Sequence, residues 1–295
     1  MPREQQPDTP TRPACDQFTS GSPGRYGRSV TVAVDPLARV AVLPGVPEAS
    51  ESARQAVDRL LRHRLLRRRS AELSAEAALR SARASAALSG VDVPLDVLRR
   101  EGSQDPVVQG ALRVAAEMGT LRDTFARAPL QVLARLHVIA AADLSPEQEL
   151  GRPREDRQDA EDGPGLAPLE VSVRLDGLVR VLGLPSSAPA VVAAAVLHAE
   201  LLALRPFTSA NGVVARGAAR LLLVARGLDP KALTVPDVGH AELATEYREA
   251  HEAYVHGTTD GAADGVARWV RHCCTAVELG ARETLAICEA LQRSS

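Results

Sequence analysis

The sequence predicts an all-α protein, and three observations lead to that class. The chain has 295 residues, of which 45% are hydrophobic and 24% are charged, a composition typical of a globular protein. Alanine, leucine and valine dominate the central segments, which contain little glycine or proline. Apolar residues also recur there at a spacing close to 3.6 residues. We therefore expect one mostly helical domain that follows an N-terminal tail.

The first fifty residues are the least regular part of the chain. Residues 1–28 are rich in Pro, Gly, Ser, Thr and Gln, which predicts a disordered tail. Residues 29–49 begin with alternating apolar and polar side chains. That pattern favours a short hairpin turning at Asp35 and Pro36, or alternatively an extended arm. The helical domain is then expected to span residues 50–291.

Start and stop signals divide the rest of the chain into helices. Gly90 is the predicted stop of one helix, since glycine tolerates the left-handed geometry that ends many helices. Ser187 and Pro189 predict the start of another helix. Pro206 ends that helix, because a residue before proline avoids helical geometry. The predicted helices beyond the first are 70–88, 106–122, 129–142, 173–182, 187–204, 213–226, 240–254 and 265–291.

The stretch LRPFTSANGVVAR, residues 204–216, lies between two of these helices and is the candidate site. The first turn of the second helix has unpaired N–H groups and the positive end of the helix dipole, which together favour a phosphate. Gly212 allows a close approach of a ligand, and Asn211 tolerates left-handed geometry. Arg205 and Arg216 can reach the same pocket from either side. The spacing alone also fits an ordinary turn with solvated arginines.

The same loop resembles the signature loop of the Fic (Fido) family, H-P-F-x-[DE]-G-N-G-R-x-x-R. Five residues match that pattern, namely Pro206, Phe207, Asn211, Gly212 and Arg216. The resemblance implies a Fic-like helical fold over roughly residues 50–290, with a small flap or hairpin. It also implies ATP or another nucleotide as the ligand and transfer of AMP to a Ser, Thr or Tyr hydroxyl of a protein. The nucleotide-binding residues would be Arg205, Thr208, Ser209, Ala210, Asn211, Gly212 and Arg216.

Four residues of the loop depart from the family pattern. Arg205 replaces the histidine that serves as general base, and a guanidinium stays protonated at neutral pH. Ser209 replaces the acid that holds Mg²⁺, so we expect the protein not to hold Mg²⁺. Ala210 and Val213 replace the first glycine and the first arginine. We expect a phosphate- or nucleotide-binding module without a functional catalytic residue. An active adenylyltransferase that takes its base from elsewhere and a non-catalytic helical scaffold are the alternatives.

Two further segments resemble elements of that family. Many Fic proteins carry an inhibitory helix, [ST]-x-x-x-E-[GN], whose glutamate pairs with the final arginine of the loop. The segment Ser85–Gly90, SAALSG, fits that spacing with Ser89 in place of the glutamate, or is an ordinary helix end with a glycine stop. Residues 151–170 are charged and rich in turn residues, which predicts an exposed flap. The resemblance implies that a protein target docks at this flap.

Charge and hydropathy exclude two classes of partner. The formal net charge is −2, so the chain as a whole is not expected to bind nucleic acid. The arginine-rich segment 59–70 contains no aromatic residues for base stacking. No apolar run approaches 18 residues and no secretory signal is evident at the N-terminus. We therefore expect a cytoplasmic protein that does not enter a membrane.

The cysteine and histidine positions predict no metal site. The four cysteines show no C-x-x-C spacing, which argues against a disulfide framework or a zinc site. His272, Cys273 and Cys274 are consecutive and should point in different directions. His137 and His198 lie in apolar helical stretches. We interpret both histidines as buried core residues with satisfied hydrogen bonds.

Overall fold

A computed structural model describes residues 35–157 and 165–293, and the regular structure within them is entirely helical. Two short 3₁₀ helices, Arg64–Arg67 and Glu147–Glu149, accompany the α-helices of this described part. Those α-helices are α1 (Pro36–Ala41), α2 (Val46–Leu61), α3 (Ser70–Leu88), α4 (Leu95–Glu101), α5 (Pro106–Ala116), α6 (Met118–Phe125), α7 (Pro129–Ala141), α8 (Pro168–Gly183), α9 (Ala190–Leu204), α10 (Asn211–Ala225), α11 (Pro236–Glu242), α12 (Ala244–Asp260) and α13 (Ala263–Arg293). The all-α prediction is confirmed.

The hairpin or extended arm predicted for residues 29–49 is wrong from residue 35 onward. Asp35 caps α1, because its Oδ1 accepts a hydrogen bond from the backbone N–H of Ala38 at 3.0 Å. Pro36 then occupies the first helical turn. An Asp-Pro pair suits the start of a helix as well as it suits a turn, since the carboxylate caps orphan N–H groups and proline pre-sets φ. Residues 1–34, including the predicted tail, lie outside the described residues.

Local signals located most of the helices, but several predicted bounds differ from the observed ones. The segment 173–182 lies within the longer α8, and the segment 240–254 spans the boundary between α11 and α12. The segment 106–122 forms two helices, α5 and α6, rather than one. Ser187 does not cap α9, which begins at Ala190 without a side-chain cap. Instead the Ser187 N–H donates to Asp35 Oδ2 at 3.0 Å, and Ser186 Oγ donates to Asp35 Oδ1 at 3.0 Å. One carboxylate therefore caps α1 and holds the turn that precedes α9.

Helices α9 and α10 pack against each other at the centre of the described structure. Val192 and Leu221, one from each helix, are completely buried. The long helix α13 covers α9 from one side and also packs on α2, α11 and α12. Its Trp269 is fully buried and donates an indole hydrogen bond to the carbonyl of Ala195 at 2.7 Å. The loop between α9 and α10 therefore joins two buried central helices.

Within the described ranges, no helix has both the length and the apolar content that are needed to cross a bilayer. The most apolar helix is the central α9, and its apolar side chains are used in the core. Val192 and Ala193 are both completely buried there.

Candidate functional site

The loop between α9 and α10 has a strained backbone at both of its ends. Arg205, which ends α9, has φ 43° and ψ 65°, and Ala210, which precedes α10, has φ 55° and ψ 18°. Non-glycine residues in this left-handed region cost roughly 1–3 kcal/mol each, and such residues cluster at functional sites. The surrounding contacts must therefore hold this loop in its shape.

Asn211 provides the main internal brace of the loop. Its Oδ1 accepts a hydrogen bond from the Phe207 N–H at 3.0 Å, and its Nδ2 donates to the Phe207 carbonyl at 2.8 Å. The Asn211 side chain is buried, so both hydrogen bonds are shielded from competing water. Each such bond contributes about 1 kcal/mol and costs more to leave unmade. A carboxamide suits this place because it offers a donor and an acceptor on the same planar group.

Phe207 anchors the loop to α7. Its ring stacks on the imidazole of His137, with the ring centroids 4.1 Å apart and an interplanar angle of 2°. His137 is buried, and its Nδ1 accepts a hydrogen bond from the Gly151 N–H at 2.9 Å. Burial lowers the pKa of His137 to about 4, although the Glu149 carboxylate and the Ser209 backbone raise it. The ring is therefore neutral at pH 7, and its Nδ1 lone pair is already engaged.

The polar residues of the loop contact the segment that follows α7. Thr208 Oγ1 donates to a carboxylate oxygen of Glu149 at 2.8 Å, and the hydroxyl oxygens of Ser209 and Ser145 lie 2.7 Å apart. Thr208 and Glu149 also line a cavity of about 340 Å³, together with Arg152. Sequence reasoning missed Glu149 and Ser145, because neither stands in a recognisable motif. Only the return of the chain past the loop brings them to the site.

Arg216 lies in a buried pocket behind the loop, where α3 holds its guanidinium. Its Nε donates to Ser85 Oγ at 2.8 Å, and one terminal nitrogen donates to the Ser85 carbonyl at 2.8 Å and to Ser89 Oγ at 2.7 Å. Asp237 Oδ1 lies 3.9 Å from Nε, too far for a direct hydrogen bond. The segment Ser85–Gly90 therefore meets the final arginine of the loop, with neutral hydroxyls rather than a carboxylate.

Gly212 leaves the space that the Arg216 guanidinium fills. A Cβ atom at Gly212 would lie 3.1 Å from a terminal nitrogen of Arg216 and 3.5 Å from Ser89 Oγ. The first turn of α10 and the buried guanidinium are thus in direct contact. Of the seven residues that the sequence predicted, Arg205, Thr208, Ser209 and Ala210 lie on the loop, Asn211 and Gly212 begin α10, and Arg216 lies behind the loop.

The predicted flap, residues 151–170, is tied to the loop by a buried arginine that sequence reasoning did not single out. Arg154 is only 3% exposed. Its Nε donates to the carbonyl of Arg205 at 2.9 Å, and a terminal nitrogen donates to the carbonyl of Leu166 at 2.8 Å. Residues 158–164 of the flap lie outside the described residues, and the last three of the range belong to α8.

This arrangement of two central helices around a braced loop has a counterpart among known proteins. Residues 128–223, which include α7, α9, the loop and most of α10, match the model of the Fic/DOC family. This segment of the chain is thus similar to a Fic/DOC domain. No curated protein sequence is significantly similar to it.

Solved structures of Fic proteins share the fold at low sequence identity. A Fic family protein from Desulfovibrio desulfuricans G20 is 18% identical, with a TM-score of 0.64 over 81% of this chain and 74% of that chain. Fic-1 from C. elegans is 18% identical, with a TM-score of 0.61 over 84% of this chain and 73% of that chain. A Fic domain containing signaling protein from Bacteroides thetaiotaomicron VPI-5482 is 12% identical, with a TM-score of 0.59 over 82% of this chain and 98% of that chain. At these identities the likeness establishes the fold.

Proposed function

We propose that this protein binds the phosphate groups of a nucleotide, with ATP as the first candidate, and transfers the nucleotidyl group poorly or not at all. One observation carries the proposal. The Fic loop keeps its internal brace between Asn211 and Phe207, while Arg205 and Ser209 stand at the positions of the family base and the family metal ligand. The loop thus retains Asn211, Gly212 and Arg216 for binding, although Val213 replaces one family arginine, and it lacks the family groups for transfer.

The start of α10 is the feature that favours phosphate binding. This helix has 15 residues, and its first N–H groups and dipole favour an anion. The Arg216 guanidinium lies directly beneath the first turn, next to Gly212. Its hydrogen-bond partners Ser85 and Ser89 are neutral, and the Asp237 carboxylate, 3.9 Å from Nε, offsets only part of its positive charge at the helix start. Arg205 contributes a second positive charge at the other end of the loop.

Efficient transfer needs a group that accepts the proton of the target hydroxyl. A guanidinium cannot accept that proton at neutral pH, and loss of general-base catalysis costs roughly 10²–10⁴-fold in rate. His137 is no substitute, because its Nδ1 accepts the Gly151 N–H and its ring face is covered by Phe207. Ser209 offers Mg²⁺ an uncharged oxygen in place of a carboxylate, which weakens the binding of a hard cation.

The flap supports a protein as the second partner. An apolar groove of about 280 Å³ borders it, with Leu130 and Leu133 of α7 on one side and Val171 and Leu175 of α8 on the other. Phe207 of the loop also lines this groove. A bound segment of a target protein would therefore lie next to the nucleotide-binding loop.

Isothermal titration calorimetry with ATP, ADP and AMP tests the binding half of the proposal. We expect measurable binding to the native chain and at least about tenfold weaker binding by Arg205→Ala, the loss of one charge-assisted contact. Arg100→Ala is the matched control, because the Arg100 side chain is 67% exposed on α4, and it should bind as the native chain does. Absence of heat with every nucleoside phosphate at millimolar concentration would favour a non-catalytic scaffold instead.

Incubation with labelled ATP, Mg²⁺ and candidate target proteins tests the transfer half. We expect no labelling above background by the native chain. The double variant Arg205→His, Ser209→Asp restores both missing groups, and we expect it to label itself or a target. Robust labelling by the native chain that disappears in Arg205→Ala would instead establish an active transferase in which this arginine plays an electrostatic role.

A further inference from the structure

Three side chains with metal-binding atoms converge in the core behind the loop. They are His198 of α9, His240 of α11 and Cys273 of α13, and one ligand atom from each lies within 4.8 Å of the other two. All three residues are buried. The sequence analysis predicted no metal site, since these residues stand far apart on three helices. The pattern favoured a core role for His198 and placed Cys273 in a run of three residues that point in different directions.

A cavity of about 20 Å³ lies among the three side chains. That volume accommodates one water molecule or one metal ion, but nothing larger. His198, His240 and Cys273 all line it, as do Asp237 and Arg216. The remaining walls are mostly apolar, so an occupant would take its polar contacts from these five residues and from Arg220.

Neighbouring residues orient both imidazoles. Nδ1 of His240 is hydrogen-bonded to Nε2 of His272 at 3.0 Å, and Nδ1 of His272 lies 3.4 Å from a carboxylate oxygen of Glu246. Nε2 of His198 is hydrogen-bonded to the hydroxyl of Tyr247 at 3.0 Å. Histidines that bind metals generally use one ring nitrogen for such a contact and the other for the ion.

We propose that His198, His240 and Cys273 bind one thiophilic metal ion, Zn²⁺ or Cu⁺, with a water molecule in the cavity as a further ligand. Imidazole and thiolate are the ligands that both ions favour. Bond lengths of about 2.0–2.1 Å to nitrogen and 2.3 Å to sulfur place ligand atoms roughly 3.3–3.7 Å apart in a tetrahedral site. Small side-chain rotations of these residues would close the present separations to that range.

Binding exchanges a proton for the ion. The S–H bond of Cys273 breaks, the proton passes to solvent, and the thiolate sulfur bonds to the metal. The thiolate and the Asp237 carboxylate at the cavity wall offset part of the positive charge that the ion adds to that of Arg216 and Arg220. Affinity should therefore rise with pH, with one proton released for each ion bound.

The test uses the full chain without a polyhistidine tag, stripped of metal with a chelator. Zn²⁺ binding is measured by calorimetric titration, and Cu⁺ binding by anaerobic titration against a competing chelator. We expect one ion per chain for at least one of the two metals. The ion that binds more tightly is the one that the site prefers, and one-to-one binding of either ion supports the proposal. Substitution by Co²⁺ should give the visible absorption of a tetrahedral site with a thiolate ligand. Absence of one-to-one binding by both ions would overturn the proposal.

Variants separate this site from adventitious binding. We expect Cys273→Ser to weaken binding at least about 100-fold, since even loss of an outer contact costs 10–100-fold. Cys274→Ser is the matched control, because Cys274 is equally buried on the same helix and lies outside the cluster. It should bind as the native chain does, and its melting temperature should rise on adding the ion. If Cys273→Ser does not fold, His240→Asn replaces it. Native affinity in a folded variant of either ligand contradicts the site.

Discussion

At the scale of the residue, a few side chains decide what the loop can do. Asn211 holds Phe207 through two hydrogen bonds, and Phe207 stacks on His137. The shape of the loop therefore depends on contacts that are independent of the residue at position 205. Because that position carries a guanidinium, the loop can keep its form while it loses its general base.

The buried histidine beneath the loop makes stability depend on pH. The pKa of His137 is about 4 in the folded chain and near 6.5 when it is unfolded, so the unfolded chain binds more protons between these values. The contribution of His137 to the free energy of unfolding is therefore fully present above pH 6.5. It decreases as the pH drops towards 4, by up to about 3 kcal/mol. Urea unfolding at pH 7.5 and pH 4.5 measures the loss.

A pair of variants assigns that loss to His137. His137→Gln should lose less stability between the two pH values than the native chain does. His256→Gln is the control, because His256 is exposed, and it should retain the native difference. An unchanged difference in His137→Gln would show that other groups cause the acid sensitivity.

At the scale of the element, close helix contacts fix the position of α7 beneath the loop. Gly110 of α5 lies against the backbone of α7, and a Cβ atom there would be 2.1 Å from the carbonyl oxygen of Ala140. The crossing of these helices therefore requires a residue without a side chain. Any change in that crossing would move His137, which α7 carries to Phe207.

We expect Gly110→Ala to destabilise the protein by about 1–3 kcal/mol or more, because the added methyl group overpacks against rigid backbone. Gly177→Ala is the matched control, since Gly177 lies within α8 with no atom within 4 Å of the added Cβ. It should be neutral or stabilising by up to about 1 kcal/mol. Chemical denaturation of both variants measures the difference, and equal stability in the two would contradict the tight crossing.

At the scale of the whole molecule, the segment that matches the Fic model does not contain its own supports. Residues 128–223 include the loop, but the hydrogen-bond partners of Arg216 come from α3. Trp269 of α13 covers α9 and donates to Ala195. The apolar faces of α9 and α10 would lie in water without these neighbouring helices.

A fragment of residues 128–223 alone should therefore not unfold cooperatively. Its central helices would expose apolar surface that the full chain buries, and the core that remains is too small to offset the loss of chain entropy. Circular dichroism during heating should show a broad, shallow change for the fragment and a sharp transition for the full chain. A sharp transition in the fragment would mean that the outer helices contribute little to the site.

The sequence alone was enough to predict the helical class, most of the helices and the place of the candidate loop. Those features depend on neighbouring residues: Gly90 lies just beyond the end of α3 with φ 89°, and α9 ends at Leu204, two residues before Pro206. Local chemistry misled at Asp35 and Pro36, because the same pair serves a turn and a helix cap. Such signals involve only neighbouring residues, so they can be recognised in the sequence.

Only the tertiary structure decided which distant residues meet. The contact of Ser89 with Arg216, the anchor at Arg154, and the meeting of His198 with Cys273 all join separate helices or loops. Such contacts follow from how whole helices pack, and packing depends on the summed burial of many side chains rather than on any local pattern. That is why the loop could be recognised from its own residues, while its supports and the histidine–cysteine cluster behind it could not.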